Sequence, residues 1–286
     1  MPADSCQLGQ LPEKKWNWRI FVASYGILTG LILFLLVVGM IVLDTPTMSS
    51  FDKTMAVFLN SFANRWFILD RFVGFLQGNK VTQGVFAVAV FYFVWFQTKE
   101  EMNGLSEKRQ GLLFALLICI PAVLTARAVA FSLPYRARPI FNPDLHLRLA
   151  HGFDPGILLR WSSFPSDHAV LFFAFATGVF LVSRKAGLVL YTHAIVVICL
   201  AMVYHGVHYP SDLLAGALLG SGFACLARWS ELRSFVLRPA VRLFGFSPGL
   251  FHACLFCLAY ETAYMYEDVR RAGIGALQLI RVLLHP

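Results

Sequence analysis

The chain has 286 residues, of which 58% are hydrophobic, 15% aromatic and only 14% charged. This composition is too apolar for an ordinary soluble domain and indicates an integral membrane protein surrounded by membrane lipids. The formal net charge of +8 does not predict a nucleic-acid partner, because the basic residues lie between apolar runs rather than on one soluble face. No segment identifies a protein partner.

Apolar segments that are long enough to cross a membrane, and poor in charge, recur along the chain. The first predicted span, 20–43, follows Lys14, Lys15 and Arg19, and it is too long for a signal peptide and lacks the small-residue cleavage site. Residues 44–80 carry apolar side chains at helical spacing between polar ones, which predicts helices lying at the membrane surface. Further spans are predicted at 81–96, 111–133, 169–182, 188–207 and 213–227.

The distribution of Lys and Arg between the short loops predicts the orientation. Basic residues gather at 14–19, 99–109, 184–185 and 228–242, and this side should be cytoplasmic, together with the N-terminus. The opposite side holds 44–80, the loop 134–165 and the turn around Pro210. In a bacterial inner membrane that side faces the periplasm or the exterior.

No internal repeat or linker divides the sequence, so we expect one integral membrane domain over 1–286. It consists of a cytoplasmic tail at 1–19, a six-helix core at 20–228 and a basic, partly amphipathic extension at 229–286. Residues 250–265 are apolar but short, and Glu261 interrupts them, so an interfacial helix is favoured there over a seventh span.

The cysteines give no indication of a metal or redox site. Most of the six lie inside apolar stretches. Cys254 and Cys257 form a CxxC, but no second pair or histidine set accompanies it, and apolar packing is the favoured interpretation. The sequence predicts no metal and no cofactor.

The segment Phe164-Pro165-Ser166-Asp167-His168 lies where an apolar segment meets water. Pro165 suits the first turn of a helix, so the amides of Ser166 and Asp167 should be free to bind phosphate. Ordinary capping by Ser166 is the alternative. A cap does not require His168, whose imidazole can donate a proton to a leaving oxygen.

His208 and Asp212 form an HxxxD pattern on either side of Pro210. A carboxylate that accepts the proton of one imidazole nitrogen leaves the other nitrogen oriented and free to attack phosphorus. The alternative is a buried pair that serves only helix packing.

Arg138, followed by Pro139, lies at the end of another apolar segment. A planar guanidinium can hold two phosphate oxygens and stabilise the charge of the transition state. Arg136 can add a second contact.

In chain order, the Arg138-Pro139 motif, the motif that ends at His168 and the HxxxD motif at His208 resemble the signature of the type 2 phosphatidic acid phosphatase (lipid phosphate phosphatase) family. The resemblance covers roughly 51–228. The resemblance implies an all-α, haloperoxidase-like bundle of about six membrane helices and catalysis without a metal. It also implies that His208 is the nucleophile, Asp212 its orienting partner and His168 the general acid, with a phosphohistidine intermediate.

The chain departs from the family pattern at several positions. Asp167 stands where glycine is common, and Phe131 stands where KxxxxxxRP has lysine. In SRxxxxxHxxxD, Ala201 and Met202 stand in place of the serine and the arginine. Two cations that would bind phosphate are therefore missing from their usual positions.

Arg127 is the candidate replacement, because it lies four residues before Phe131 on the same helical face. A charge inside a span needs a partner, so a structural pairing of Arg127 is the alternative. Arg160 and His205 are weaker candidates.

The predicted substrate is a lipid with a phosphate or diphosphate headgroup. An isoprenoid diphosphate such as undecaprenyl diphosphate is favoured, ahead of phospholipid and saccharolipid phosphates. Phosphoryl transfer to a second lipid would use the same site, and a non-catalytic phospholipid-binding or transport protein is the alternative of another class.

Overall fold

A computed structural model of the chain describes residues 35, 38–39, 46–98, 104–159 and 161–272. The regular elements of the described residues are helices, and no strand occurs among them. This confirms the predicted all-α membrane fold. The predicted tail 1–19, nearly all of the first span 20–43, and Arg160 lie outside the described residues.

The described helices follow one another with short connections, apart from one long loop before α6. In chain order the α-helices are α1 (Pro46–Asn60), α2 (Phe67–Gly78), α3 (Phe86–Gln97), α4 (Glu107–Leu117), α5 (Cys119–Ser132), α6 (Asp167–Val182), α7 (Arg184–His193), α8 (Leu200–Tyr204), α9 (Pro210–Cys225), α10 (Ser230–Phe246) and α11 (Pro248–Ala263). Single π-helical segments, Val81–Val85 and Ala194–Cys199, precede α3 and α8. The loop between α5 and α6 contains three short 3₁₀ turns, Pro139–Phe141, Pro143–Leu145 and Gly156–Leu158.

Three helical stretches among the described residues are long and apolar enough to cross a membrane: Glu107–Ser132, Arg184–Tyr204 and Pro210–Arg228. They coincide with the spans predicted at 111–133, 188–207 and 213–227. The span predicted at 81–96 forms the second part of a helix pair, Phe67–Gly78 with Val81–Gln97, that bends by 66°. The span predicted at 169–182 lies in α6, which is apolar but only 16 residues long.

Helix α6 is the centre of the bundle, since its side chains are buried around most of its circumference. It packs closely on α9 through Gly216 and Gly220, which are four residues apart. A Cβ atom at Gly220 would collide with the Val170 carbonyl, and one at Gly216 would lie 2.6 Å from the Ser166 carbonyl oxygen. Small residues let two backbones approach in this way. The N-terminal ends of α6 and α9 therefore meet, and a 3.2 Å hydrogen bond from Ser166 N to the Asp212 carbonyl joins them.

Helix α11 packs on the bundle through residues spaced four apart, namely Phe251, Leu255 and Ala259, all of which are buried. Its C-terminal end meets the π-helical segment before α3, where a Cβ atom at Gly84 would collide with the Ala263 backbone. This contact brings the residues after α11 beside those after α2. The interfacial location predicted for 250–265 stays a prediction.

Candidate active site

His208 and Asp212 lie at the junction of α8 and α9, where Pro210 opens the second helix. The His208 Nδ1 atom is 3.6 Å from Asp212 Oδ2, just beyond hydrogen-bond distance. The Nε2 atom is 3.1 Å from Arg138 Nη1. A guanidinium can only donate, so Nε2 accepts and carries its lone pair, while Nδ1 holds the proton that faces Asp212.

The His208 ring is 3% exposed. Burial lowers the pKa of His208 below its usual 6.5, although the Asp212 carboxylate opposes this effect. The imidazole is therefore neutral at neutral pH, which is the form that a nucleophile requires.

Arg138 is fixed by a second contact, a 2.9 Å hydrogen bond from Nη1 to the Val207 carbonyl. Its Nε donor has no hydrogen-bond partner among the described residues. Burial lowers the pKa of Arg138, but a guanidinium stays charged at any physiological pH. The side chain is a buried cation with donors to spare beside the nucleophile, which suits an anionic ligand.

His168 belongs to a second histidine–carboxylate pair at the start of α6. Asp167 Oδ1 lies 3.2 Å from His168 Nδ1, and Asp167 Oδ2 forms an ion pair with Arg127. The Arg127 guanidinium also lies 5.4 Å from the centre of the Trp161 ring. The aspartate that replaces the family's glycine thus contacts an arginine and orients the proposed acid.

The first turn of α6 differs from the sequence prediction. Pro165 is not in the helix: Ser166 is the N-cap, and the helix begins at Asp167. The prediction was wrong because Ser166 adopts an extended backbone and accepts from Ala169 N at 3.4 Å, so the capping alternative applies. The amide of His168 donates to Asp167 Oδ1, which leaves fewer free amides for a phosphate than expected.

Arg136 lies behind Asp212. Its guanidinium donates to Asp212 Oδ1, to Ser211 Oγ at 3.0 Å and to Asp52 Oδ2 at 2.7 Å. It also lies 4.3 Å from the centre of the Tyr209 ring. These contacts use most of its donors, so Arg136 fixes the carboxylate that faces His208. Its predicted role as a direct phosphate ligand stays a prediction.

A cavity of about 300 Å³ opens beside the two histidines. Its lining comes from five separate parts of the chain and is rich in charge: Gln77, Lys80, Gln83, Arg127, Arg138, Leu158, Trp161, Asp167, His168, Met202, Val207, His208, Tyr264, Met265, Glu267 and Arg270. The three motifs and Arg127 therefore converge on one space. Among the described residues, no three His, Cys, Asp or Glu side chains are grouped as a metal site.

The positions of the missing family cations have different surroundings. Met202 lines the cavity, whereas Phe131 is 76% exposed. His205 is buried, lies 4.5 Å from Phe153 ring to ring, and lines a neighbouring cavity rather than the one at His208. Arg160 lies outside the described residues.

Sequence reasoning missed two cations in the lining, Lys80 and Arg270. Lys80 directly precedes a predicted span, and Arg270 follows the apolar segment 250–265, so each resembles an ordinary flanking charge. It also missed Asp52, a buried carboxylate whose pKa is raised by burial. In the sequence, the only indication of Asp52 is that an acidic residue stands among the apolar residues of 44–80.

The sequence model of the PAP2 superfamily matches residues 131–235. The bacitracin transport permease protein BcrC of Bacillus licheniformis is 28% identical over 188 residues, which is 65% of this chain and 84% of that protein. No solved structure matches the chain. The matched range contains Arg138, His168, His208 and Asp212, and these findings confirm the family resemblance.

Proposed function

We propose that the chain is a membrane lipid phosphatase that works through a phosphohistidine at His208, in keeping with its match to the PAP2 superfamily model over residues 131–235. The observation that carries the proposal is the 3.1 Å separation of His208 Nε2 from Arg138 Nη1. It puts the lone pair of the nucleophile against the cation that would hold the phosphate.

In the first step, His208 Nε2 attacks phosphorus and the bond from phosphorus to the leaving oxygen breaks. Arg138 balances the charge on the phosphoryl oxygens, and Asp212 balances the charge that develops on the imidazole. His168 gives its proton to the leaving oxygen. In the second step, the neutral His168 takes a proton from water, whose oxygen attacks phosphorus, and phosphate leaves His208.

The proposed substrate is a lipid phosphate or diphosphate. A 300 Å³ cavity at the ends of apolar helices can hold the headgroup while the chain remains in the membrane. Within this class we propose an isoprenoid diphosphate such as undecaprenyl diphosphate, ahead of phospholipid and saccharolipid phosphates.

The proposed location is a bacterial inner membrane, with the active site at the periplasmic or exterior surface and the N-terminus in the cytoplasm. The support is the alternation of basic loops with motif loops. A reporter that is active only outside the cytoplasm should work near Pro143 or after Pro210, and it should be silent near Glu101 or Arg184. The reverse pattern would move the site to the cytoplasmic face.

A phosphotransferase would pass the phosphoryl group from His208 to a second lipid instead of to water. A transport protein is the alternative of another class, and BcrC is named as a permease. A binding or transport protein needs no neutral buried histidine aligned with an arginine and no second histidine held by a carboxylate. That arrangement favours the enzyme.

The experiment measures phosphate release by the purified full-length protein in detergent. Farnesyl diphosphate, undecaprenyl diphosphate and phosphatidate are supplied, each with and without a chelator, and each with and without an unphosphorylated lipid acceptor. We expect chelator-resistant release that is lost in His208→Ala, with thermal unfolding unchanged. Full activity in His208→Ala would disprove the phosphohistidine, and labelled acceptor without free phosphate would assign a transferase.

A further inference from the structure

Lys80 and Arg270 lie in the wall of the catalytic cavity, outside the range that the superfamily model matches. Lys80 lies two residues after the end of α2, and Arg270 belongs to the segment after α11. The described lining contains four cations, Lys80, Arg127, Arg138 and Arg270, against the carboxylates of Asp167 and Glu267. The lining therefore has an excess of positive charge, even without counting its histidines.

The cations of the cavity divide into two groups. Arg138 contacts the nucleophile, and Arg127 is paired with Asp167 beside the general acid. Lys80 is paired with Glu267 instead, with its Nζ atom 3.5 Å from the carboxylate. Arg138 and Arg127 therefore contact residues of the catalytic motifs, whereas Lys80 contacts a carboxylate outside them.

An unusual turn directs the second group towards the cavity. Met265 and Tyr266, which follow α11, have φ values of 56° and 55°, in the left-handed region. Such a conformation is strained for a non-glycine residue and persists only where surrounding contacts hold it. Here a 2.6 Å hydrogen bond from Tyr266 N to the Glu261 carbonyl closes the turn. Glu267, the next residue, pairs with Lys80.

From these observations, and resting on the proposed phosphatase function, we infer that Lys80 and Arg270 form a subsite for a second phosphate. The site is then built for a lipid diphosphate. The terminal phosphorus lies at His208 and Arg138, and the phosphate next to the lipid chain lies at Lys80 and Arg270. A monophosphate would leave the second subsite empty.

The test compares farnesyl diphosphate with farnesyl phosphate, which share one chain. For Lys80→Gln and Arg270→Gln, kcat/KM on the diphosphate should fall about tenfold or more, as expected for loss of a charge-assisted contact. On the monophosphate it should change less than about threefold. Arg65→Gln removes an exposed cation outside the cavity lining, and it is the charge-matched control.

Glu267→Gln separates a ligand role from a structural role of Lys80. If the ion pair only fastens the turn to α2, Glu267→Gln and Lys80→Gln should lower activity and the unfolding temperature alike. If Lys80 binds phosphate, Glu267→Gln removes a competing carboxylate and should lower KM for the diphosphate. Lys80→Arg should retain the preference for the diphosphate over the monophosphate.

The outcomes distinguish this inference from the function on which it rests. Release from neither lipid by the wild-type protein would overturn the proposed phosphatase. If the wild type releases phosphate, but Lys80→Gln and Arg270→Gln lower kcat/KM equally on both lipids or on neither, the second subsite alone is overturned. Protection of the wild type, but not of Lys80→Gln, from thermal unfolding by a non-hydrolysable methylenediphosphonate analogue would support the subsite without relying on turnover.

Discussion

Asp52 accepts a 2.9 Å hydrogen bond from the backbone amide of Ser211, so a carboxylate in α1 is fixed to the first turn of α9. The other carboxylate oxygen accepts from Ser211 Oγ at 2.5 Å and from Arg136 at 2.7 Å. Arg136 in turn holds Asp212. The carboxylate that faces the nucleophile is thus supported by a residue far away in the sequence.

Asp52→Asn should remove the charge that offsets Arg136 and weaken the positioning of Asp212. We expect a fall in kcat with little change in KM, because Asp52 does not line the cavity. Stability should fall by about 1–3 kcal/mol, the cost of a compromised buried polar contact. Kinetics and thermal unfolding check both effects. Lys53→Gln, at an exposed neighbour, should change neither.

Gly220 and Gly222 provide a matched pair for testing the packing of α6 on α9. A Cβ at Gly220 would collide with the Val170 carbonyl, whereas a Cβ at Gly222 has nothing within 4 Å. Gly220→Ala should therefore lower the free energy of unfolding by about 1–3 kcal/mol, as overpacking does. Gly222→Ala should be neutral or stabilising, because alanine favours a helix by up to about 1 kcal/mol. Equal unfolding temperatures would contradict the close contact.

The sequence predicted well those parts of the fold that depend only on the composition of one segment. Hydropathy located 111–133, 188–207 and 213–227, because a span must be apolar over its own length. It separated 44–80 from 81–96, although α2 and the helical stretch after it form one bent pair. The 66° bend lies at Asn79, whose backbone is extended and whose Oδ1 accepts from Val81 N at 2.8 Å, and hydropathy does not record such a break.

The sequence predicted those residues of the site that belong to short motifs. His168, His208 and Arg138 carry their chemistry in short patterns, and the structure brings them to one cavity. Asp52 and Lys80 reach the site through contacts with Ser211 and Glu267, 159 and 187 residues away along the chain, and no local pattern encodes such pairs.

Arg127 and Asp167 are expected to be energetically coupled, because they form an ion pair beside His168. Arg127→Ala leaves the Asp167 carboxylate to repel a phosphate, so kcat/KM should fall by an amount equivalent to about 1.5–3 kcal/mol. Asp167→Asn added to Arg127→Ala should recover part of this loss. If Arg127 acts only as an independent phosphate ligand, the two effects should add in a double-mutant cycle.

The acid limb of the pH–rate profile should reflect protonation of the His208 ring. Only the neutral ring can attack phosphorus, so kcat/KM should fall as the ring gains a proton. Burial lowers the pKa of His208, which keeps the ring neutral to lower pH, and the midpoint should therefore lie below 6.5. Farnesyl diphosphate and farnesyl phosphate should give the same midpoint if the enzyme rather than the substrate titrates. A midpoint at or above 6.5 would contradict a buried neutral nucleophile.

His168→Ala should affect the two lipids unequally, because their leaving groups differ. A lipid monophosphate ester loses an alkoxide, which needs a proton, and general acid catalysis of such a step is worth about 10²–10⁴-fold. Attack on the terminal phosphorus of a diphosphate releases a phosphate ester that is stable as an anion. The loss with farnesyl phosphate should therefore exceed the loss with farnesyl diphosphate.

The same variant should accumulate the intermediate when it is given the diphosphate. Formation of the phosphohistidine then needs no acid, but its hydrolysis still lacks the base that takes a proton from water. Rapid-quench experiments should detect a burst of farnesyl phosphate close to one per protein, with acid-labile phosphate on the chain. His208→Ala, measured in parallel, should give neither burst nor label. Equal losses for both lipids in His168→Ala, with no burst, would remove His168 from the leaving-group step.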